Sequence, residues 1–178
     1  MTKPLWEKAK RADFEAAVLS HLDAAYNLAR WLLRNEQDAE DAVQDALLRA
    51  FRFFADLRGG DGRAWLLTIV RNTCYSRFRK AGAGERNVAL DEEVHDLNGG
   101  AVSPETEVIR QASSRSIQQA LEALPVDLRE AIVLRELEGL SYAEIASVAE
   151  IPIGTVMSRL SRARRRLQET LGEKEILP

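Results

Sequence analysis

The sequence is short of the residues that build most metal and redox sites. Its one cysteine, Cys74, rules out an internal disulfide and fits a reducing compartment. Two histidines, His21 and His95, added to it leave too few soft ligands for a structural zinc site. No apolar run approaches the roughly 18 residues that a bilayer span requires. The opening MTKPLWEKAK has no apolar stretch of the secretory kind, so a soluble cytoplasmic protein without membrane insertion is expected. An excess of one charge is also missing: 25 Lys+Arg stand against 28 Asp+Glu, a formal net charge of −3. Taken whole, that balance is not that of a nucleic-acid binder. What is present is a hydrophobic fraction of 46% in 178 residues, enough for a core in one ordinary domain or two small ones.

The distribution of charge says more than its sum. Residues 1–82 carry +3, residues 83–112 carry −5 and residues 113–178 carry −1. The middle segment also collects Gly99, Gly100, Ser103 and Pro104 and has no sustained apolar periodicity. It reads as an acidic linker between two lobes, because structureless loops beyond about 15 residues are uncommon in compact folds.

Both lobes have helical periodicity, and no stretch alternates as a strand would, so the fold class is all-α. Phe14, Val18, Leu22, Ala25, Leu28, Ala29 and Leu32 lay one apolar stripe. A second helix is expected to start at Asp38 as its cap, with Ala39, Ala42, Val43, Ala46, Leu47, Ala50, Phe51 and Phe54 inward. A loop with three glycines, Asp56–Gly62, turns the chain into a third helix from about Arg63 to Lys80. On that helix Leu66, Ile69, Val70, Thr73 and Arg77 project one way, and Trp65, Thr68, Asn72, Tyr75, Ser76 and Arg79 the other. Rings that stack, an amide that reads base edges and cations that hold a backbone suit unstacked nucleic-acid bases. Gap-filling under the loop is the plainer account of Trp65. Cys74 reads as a small core residue.

In the second lobe Ile117, Leu121 and Leu124 form a short stripe ended by Pro125, and Leu128, Ile132 and Leu137 form the next, stopped by Gly139. Ser141 and Glu144 then make a capping box. Ile145 and Val148 give the capped helix an inner face, a turn falls at Glu150–Ile151, and Pro152 stands near the start of another helix. Val156, Leu160, Ala163, Leu167 and Leu171 are its buried stripe, opposed by Thr155, Ser158, Arg159, Arg162 and Arg166. Five arginines and no acidic residue lie between Ile153 and Arg166. A helix-turn-helix follows, whose second helix would enter a DNA major groove. Arginine serves there because its planar fork matches both guanine edges and phosphates. A helical hairpin with a solvated basic face is the plainer alternative.

The first lobe has its own marked face. Glu40, Asp41, Gln44 and Asp45, with Asp38 before them, form an acidic strip on the helix side away from the core stripe. Such a strip suits a basic protein partner. Its rivals are a solvated face and a magnesium site of Asp38, Asp41 and Asp45, which lacks the second acidic helix that a metal enzyme would need. His21 and His95 have no positioned nucleophile or acid beside them in the sequence, so no enzyme activity and no cofactor are expected.

Two stretches resemble a known family. Leu124-Pro125, Gly139-Leu140-Ser141-Tyr142, Glu144-Ile145-Ala146, Pro152, Gly154-Thr155-Val156 and Ser158-Arg159-Leu160 resemble the C-terminal domain of bacterial extracytoplasmic-function (ECF) sigma factors. Glu150 replaces the family's usual turn glycine, and Met157 a frequent lysine or arginine. Asn35 to Ala50 resembles the second conserved sigma region, and the Asp56–Gly62 loop with the following helix resembles the −10-reading part. The resemblance implies an ECF sigma factor with a region 2 domain at 1–82, a linker at 83–112 and a region 4 domain at 113–178. It implies docking on the polymerase core, at the β′ clamp and β flap, with Asp38, Glu40, Asp41, Gln44 and Asp45 at the clamp. It implies −10 recognition by Arg58, Asp61, Trp65, Asn72, Tyr75, Arg79 and Lys80, with a flipped base held by the loop and Asn72. It implies −35 recognition by Thr155, Ser158, Arg159, Arg162 and Arg166, and an anti-sigma factor as a further partner.

Overall fold

A computed structural model describes residues 5–57, 60–81 and 114–172 of the chain; the expected linker and Arg58 lie outside these. The described residues are predominantly helical, with no strand among them. The first lobe contains α1 (Leu5–Ala17), α2 (Leu22–Leu33), α3 (Glu36–Arg52) and α4 (Gly62–Ala81). The second contains α5 (114–122), α6 (Val126–Ile132), α7 (Tyr142–Ala149) and α8 (Ile153–Leu171). Phe51, expected inward, is 42% exposed at the end of α3, and ends and faces depart from the sequence reading in four further places.

The stripe from Phe14 to Leu32 belongs to two helices. The backbone leaves helical geometry at Val18 and makes a 3₁₀ turn over Leu19–His21 before α2. Phe14, Val18, Ala25, Leu28, Ala29 and Leu32 are buried as expected, but Leu22 is exposed. The second departure is the start of α3. Asn35, not Asp38, is the cap, its Oδ1 accepting from the Asp38 N–H at 2.9 Å. Asp38 is left in the first turn, where a negative charge favours the helix dipole.

The third lies in α4, which has no clean solvent face. Leu66, Leu67, Val70, Thr73 and Cys74 are buried. Trp65, Thr68, Ile69, Asn72, Tyr75, Ser76, Arg77 and Phe78 are half-buried. The reason is packing on two sides: α4 meets α2 and α3 within its lobe and α7 across the seam. The fourth follows α6. The chain widens into a π turn over Val133–Leu137, which carries Val133 and Leu134 into the core and leaves Leu137 49% exposed. Gly139 ends this segment at φ 68°, a left-handed conformation that favours glycine.

The lobes share one apolar cluster, running from Phe14 and Leu28 through Val70 and Cys74 to Leu128, Ile145 and Leu160. Polar contacts close the seam. Arg129 is buried and donates from its NH1 nitrogen to the Glu122 and Leu124 carbonyls, at 2.7 and 3.1 Å, and from NH2 to the Leu32 carbonyl at 3.4 Å. Arg63 donates to the Glu138 carbonyl at 2.6 Å and to its carboxylate at 3.0 Å. Asn27 donates to the same carboxylate at 2.5 Å.

Gly62 shows why the glycine loop must end as it does. A Cβ on Gly62 would stand 2.1 Å from the Ala17 carbonyl oxygen, a contact no side chain tolerates. Backbone meets backbone where α4 begins beneath the end of α1. Gly62→Ala should therefore lower stability by about 2 kcal/mol or more, read as a fall in the urea midpoint. An unchanged midpoint would mean that α1 does not seat on α4.

Candidate nucleic-acid interface

The sequence predicts three functional surfaces. The first, on α3, is intact: Asp38, Glu40, Asp41, Gln44 and Asp45 are all exposed. Ala39, Ala42, Val43, Ala46 and Ala50 are buried behind them, so the small residues fix this face outward. Asp45 also accepts from Arg77 of α4 at 2.9 Å, which ties the strip to the neighbouring helix. Leu48 is an exposed apolar residue on the same helix. Among the described residues no cluster of His, Cys, Asp or Glu could hold a metal ion.

The second surface is α4. Asp61 accepts from the Arg63 N–H at 2.9 Å and so caps the helix. Trp65 and Tyr75 are half-buried and pack against the core, while Arg79 and Lys80 are exposed at the end of the helix. Asn72 is half-buried, its Oδ1 accepting from Arg71 at 3.3 Å. Tyr75 is engaged on three sides: its ring meets Phe78 edge-on, Arg71 lies 4.4 Å over its face, and its hydroxyl donates to Glu130 at 3.2 Å. Burial first and then the Glu130 charge push the Tyr75 hydroxyl well above its ordinary range. In this form Tyr75 is a seam residue and does not present a free stacking face.

The third surface is the pair α7 and α8. The capping box is complete: the Glu144 N–H donates to Ser141 Oγ at 3.2 Å, and the Ser141 N–H to Glu144 Oε2 at 2.6 Å. Hydrogen bonding to Ser141 holds the Glu144 carboxyl below its usual range. Glu150 makes the turn at φ 55° and ψ 46°, the left-handed geometry that glycine adopts without strain. Val156, Leu160 and Ala163 are buried against the lobe. Ser158, Arg162 and Arg166 are exposed and Thr155 is half-exposed, so four of the five expected −35 side chains face outward together.

Arg159 departs from that face. It folds back against α6, 3.6 Å from Asp127 Oδ2 and 3.6 Å from Glu130 Oε2, with its side chain 19% exposed. Helical spacing groups it with Arg162 and Arg166; the acids on α6 draw it away. Sequence reasoning also misses Glu130 itself, a glutamate on an apolar-striped helix that carries no motif. It is 1% exposed and bound by Arg71 at 2.5 Å. Burial pushes its carboxyl up from the ordinary range, and Arg71, Tyr75 and Arg159 pull it back.

The chain and its fold are similar to known proteins. The chain matches the family model Sigma-70 region 2 over residues 17–84 and Sigma-70, region 4 over residues 114–167. It is 32% identical over 177 residues to the RNA polymerase sigma-H factor of Pseudomonas aeruginosa, covering 94% of this chain and 92% of that one. It is 33% identical to the ECF RNA polymerase sigma factor SigE of Mycolicibacterium smegmatis, covering 94% of this chain and 65% of the relative's length. Among solved structures it resembles the sigma factor RpoE in complex with the anti-sigma factor NepR from Bartonella quintana, with TM-score 0.73, 34% identity and 91% and 98% of the two chains covered. It also resembles CnrH in complex with the cytosolic domain of CnrY, at TM-score 0.63 and 28% identity, over 92% and 90% of the two chains.

Two outcomes follow from the geometry. Glu150→Gly should stabilise the protein by about 1 kcal/mol by removing a left-handed glutamate, read as a raised urea midpoint. A lowered midpoint would mean that the Glu150 side chain holds the turn. Burial drives the Cys74 thiol up to about 12, so the native protein should resist alkylation at pH 8 and react once unfolded. Fast alkylation of the native form would contradict the buried position. Matching models in both lobes and relatives aligned along nearly the whole length place the chain in the ECF sigma factors, the initiation subunits that bind RNA polymerase core and direct it to promoters.

Proposed function

We propose that the sigma activity is divided between the lobes, residue by residue. Residues 1–82 hold the polymerase and read the −10 element, residues 113–178 read the −35 element, and residues 83–112 connect them. The observation that carries this reading is the exposed face of α8, where Ser158, Arg162 and Arg166 stand outward on a stretch without acidic residues. Arg162 and Arg166 suit phosphates and guanine edges, and Thr155 and Ser158 suit either.

On the first lobe, Asp38, Glu40, Asp41, Gln44 and Asp45 dock on the polymerase β′ clamp, and the second lobe engages the β flap. The rigid helix and its outward acids support this, since complementary charge steers a basic partner into register. Asn72 and Trp65 receive an extruded −10 base, with Arg58 and Asp61 of the loop, while Arg79 and Lys80 follow the backbone. Extrusion costs a few kcal/mol of unstacking, offset by stacking and hydrogen bonds in the pocket. Tyr75 joins this surface once it leaves Glu130. The protein works as a cytoplasmic transcription factor, not as an enzyme, and needs no cofactor. The resemblance to RpoE bound to the anti-sigma factor NepR supports an anti-sigma factor for this chain too.

Transcription in vitro from a randomised promoter library with purified core polymerase tests the reading. Transcripts with a common −10 and −35 sequence are expected. No transcripts above core alone, with tight duplex binding by the free chain, would favour a free-standing helix-turn-helix regulator. Arg162→Ala should weaken −35 binding and lower its salt slope by about one. An unchanged slope would remove Arg162 from the phosphate contacts.

A further inference from the structure

Glu130 sits in the seam between the lobes, 1% exposed, and its carboxylate is shared by side chains from both. From α4, Arg71 Nε lies 2.5 Å from Oε1, its NH2 nitrogen 3.5 Å from Oε2, and the Tyr75 hydroxyl donates to Oε2 at 3.2 Å. From α8, Arg159 NH1 lies 3.6 Å from the same Oε2, at ion-pair but not hydrogen-bond distance. Arg159 Nε is held equally loosely by Asp127, at 3.6 Å. The α4 side chains therefore take the hydrogen-bonding positions, and Arg159 takes what remains.

That arrangement cannot persist on a promoter. The −10 and −35 elements stand about 25 base pairs apart, roughly 85 Å of B-DNA at about 3.4 Å per step. A folded body of this chain length has a radius of gyration of about 16 Å. Lobes in contact do not span both elements, so α4 and α6 must part. Glu130 then loses Arg71 and Tyr75, and water reaches the side of the carboxylate that α4 covered. Arg159 is the cation remaining beside it on its own lobe.

We propose that Glu130 is a positioning residue for promoter recognition, held by Arg71 and Tyr75 when the lobes are closed and by Arg159 of α8 when they open. This rests on the reading of α8 as the −35 helix. Lobe closure and the setting of the recognition helix draw on one carboxylate. In the open form Arg159 moves to hydrogen-bond distance between Glu130 and Asp127, and fixes α8 against α6 so that Ser158 and Arg162 meet the groove in one register. Arg159 then supports the reading of bases through its neighbours without itself facing them.

The test uses the full chain and a −35 duplex recovered from the promoter selection. Anisotropy measures affinity for that duplex and for single-base mismatches, and small-angle scattering measures compactness. Arg71→Met removes the α4 claim on Glu130. It should expand the free protein and raise duplex affinity about tenfold as the competent fraction rises, with mismatch discrimination kept. Glu130→Gln should expand the protein as well, but with about tenfold less discrimination because Arg159 is no longer anchored. Glu130→Asp should recover part of that loss.

Unchanged compactness and affinity in Arg71→Met would overturn the proposal, as would Glu130→Gln that matches Arg71→Met in both affinity and discrimination. Should Glu130→Gln not fold, Arg159→Gln decides: discrimination is expected to fall without expansion, and unchanged discrimination overturns the proposal. If Arg162→Ala leaves duplex binding intact, the reading of α8 itself is at fault. If Arg162→Ala weakens binding and Arg71→Met changes nothing, this inference alone fails.

Discussion

A carboxylate removed from water stays charged only while cations and donors surround it, and the described structure is organised around one such group. Glu130 receives Arg71, Tyr75 and Arg159, which come from the helices assigned to the two promoter elements. Removing one partner from a buried pair costs on the order of 3–5 kcal/mol, far above an exposed surface pair. The apolar cluster brings the lobes together without directional preference. The placement of Glu130, with Arg63 and Asn27 on Glu138 and Arg129 on the Leu32 carbonyl, sets their register.

This constraint explains why α4 looks as it does. A helix proposed to face a core on one side and melted DNA on the other should be amphipathic. Instead its residues are buried or half-buried along most of its length, because the second lobe covers the outer side. In the proposed scheme, polar and aromatic side chains on that side serve two states. Tyr75 is a hydrogen-bonded seam residue in the closed form and is assigned to the −10 surface in the open one. The acidic strip on α3 and the outward face of α8 are exposed in the closed form, so the proposed polymerase and duplex contacts do not require the lobes to part first.

Much of this was legible in the sequence, for reasons that can be named. Local rules held where local physics decides: the Ser141–Glu144 box, the turn at Glu150, the stripe of α3 as far as Ala50 and the core of the α8 stripe, Val156, Leu160 and Ala163. Local rules misplaced features that depend on finer or more distant choices. Asn35 displaced Asp38 as the cap of α3, and the stripe through Leu22 broke at Val18, where the end of α1 seats on Gly62. The π turn after α6 rotated Leu137 outward, which no 3.6-residue periodicity could indicate. Arg159 and Glu130 are set by contacts between distant segments. A glutamate in a helix reads as solvated until the arginine 59 residues away is seen beside it.

Taken alone, the net charge of −3 argues against nucleic acid, yet it sums the arginine-rich α8 with an acidic middle segment. The most direct test of this account is a distance between spin labels on α3 and α8, at Arg49→Cys and Glu169→Cys, with buried Cys74 left unlabelled. A short, narrow distribution is predicted for the free protein and a much longer one in the polymerase–promoter complex. Equal distributions in the two states, or a broad long one in the free protein, would contradict it.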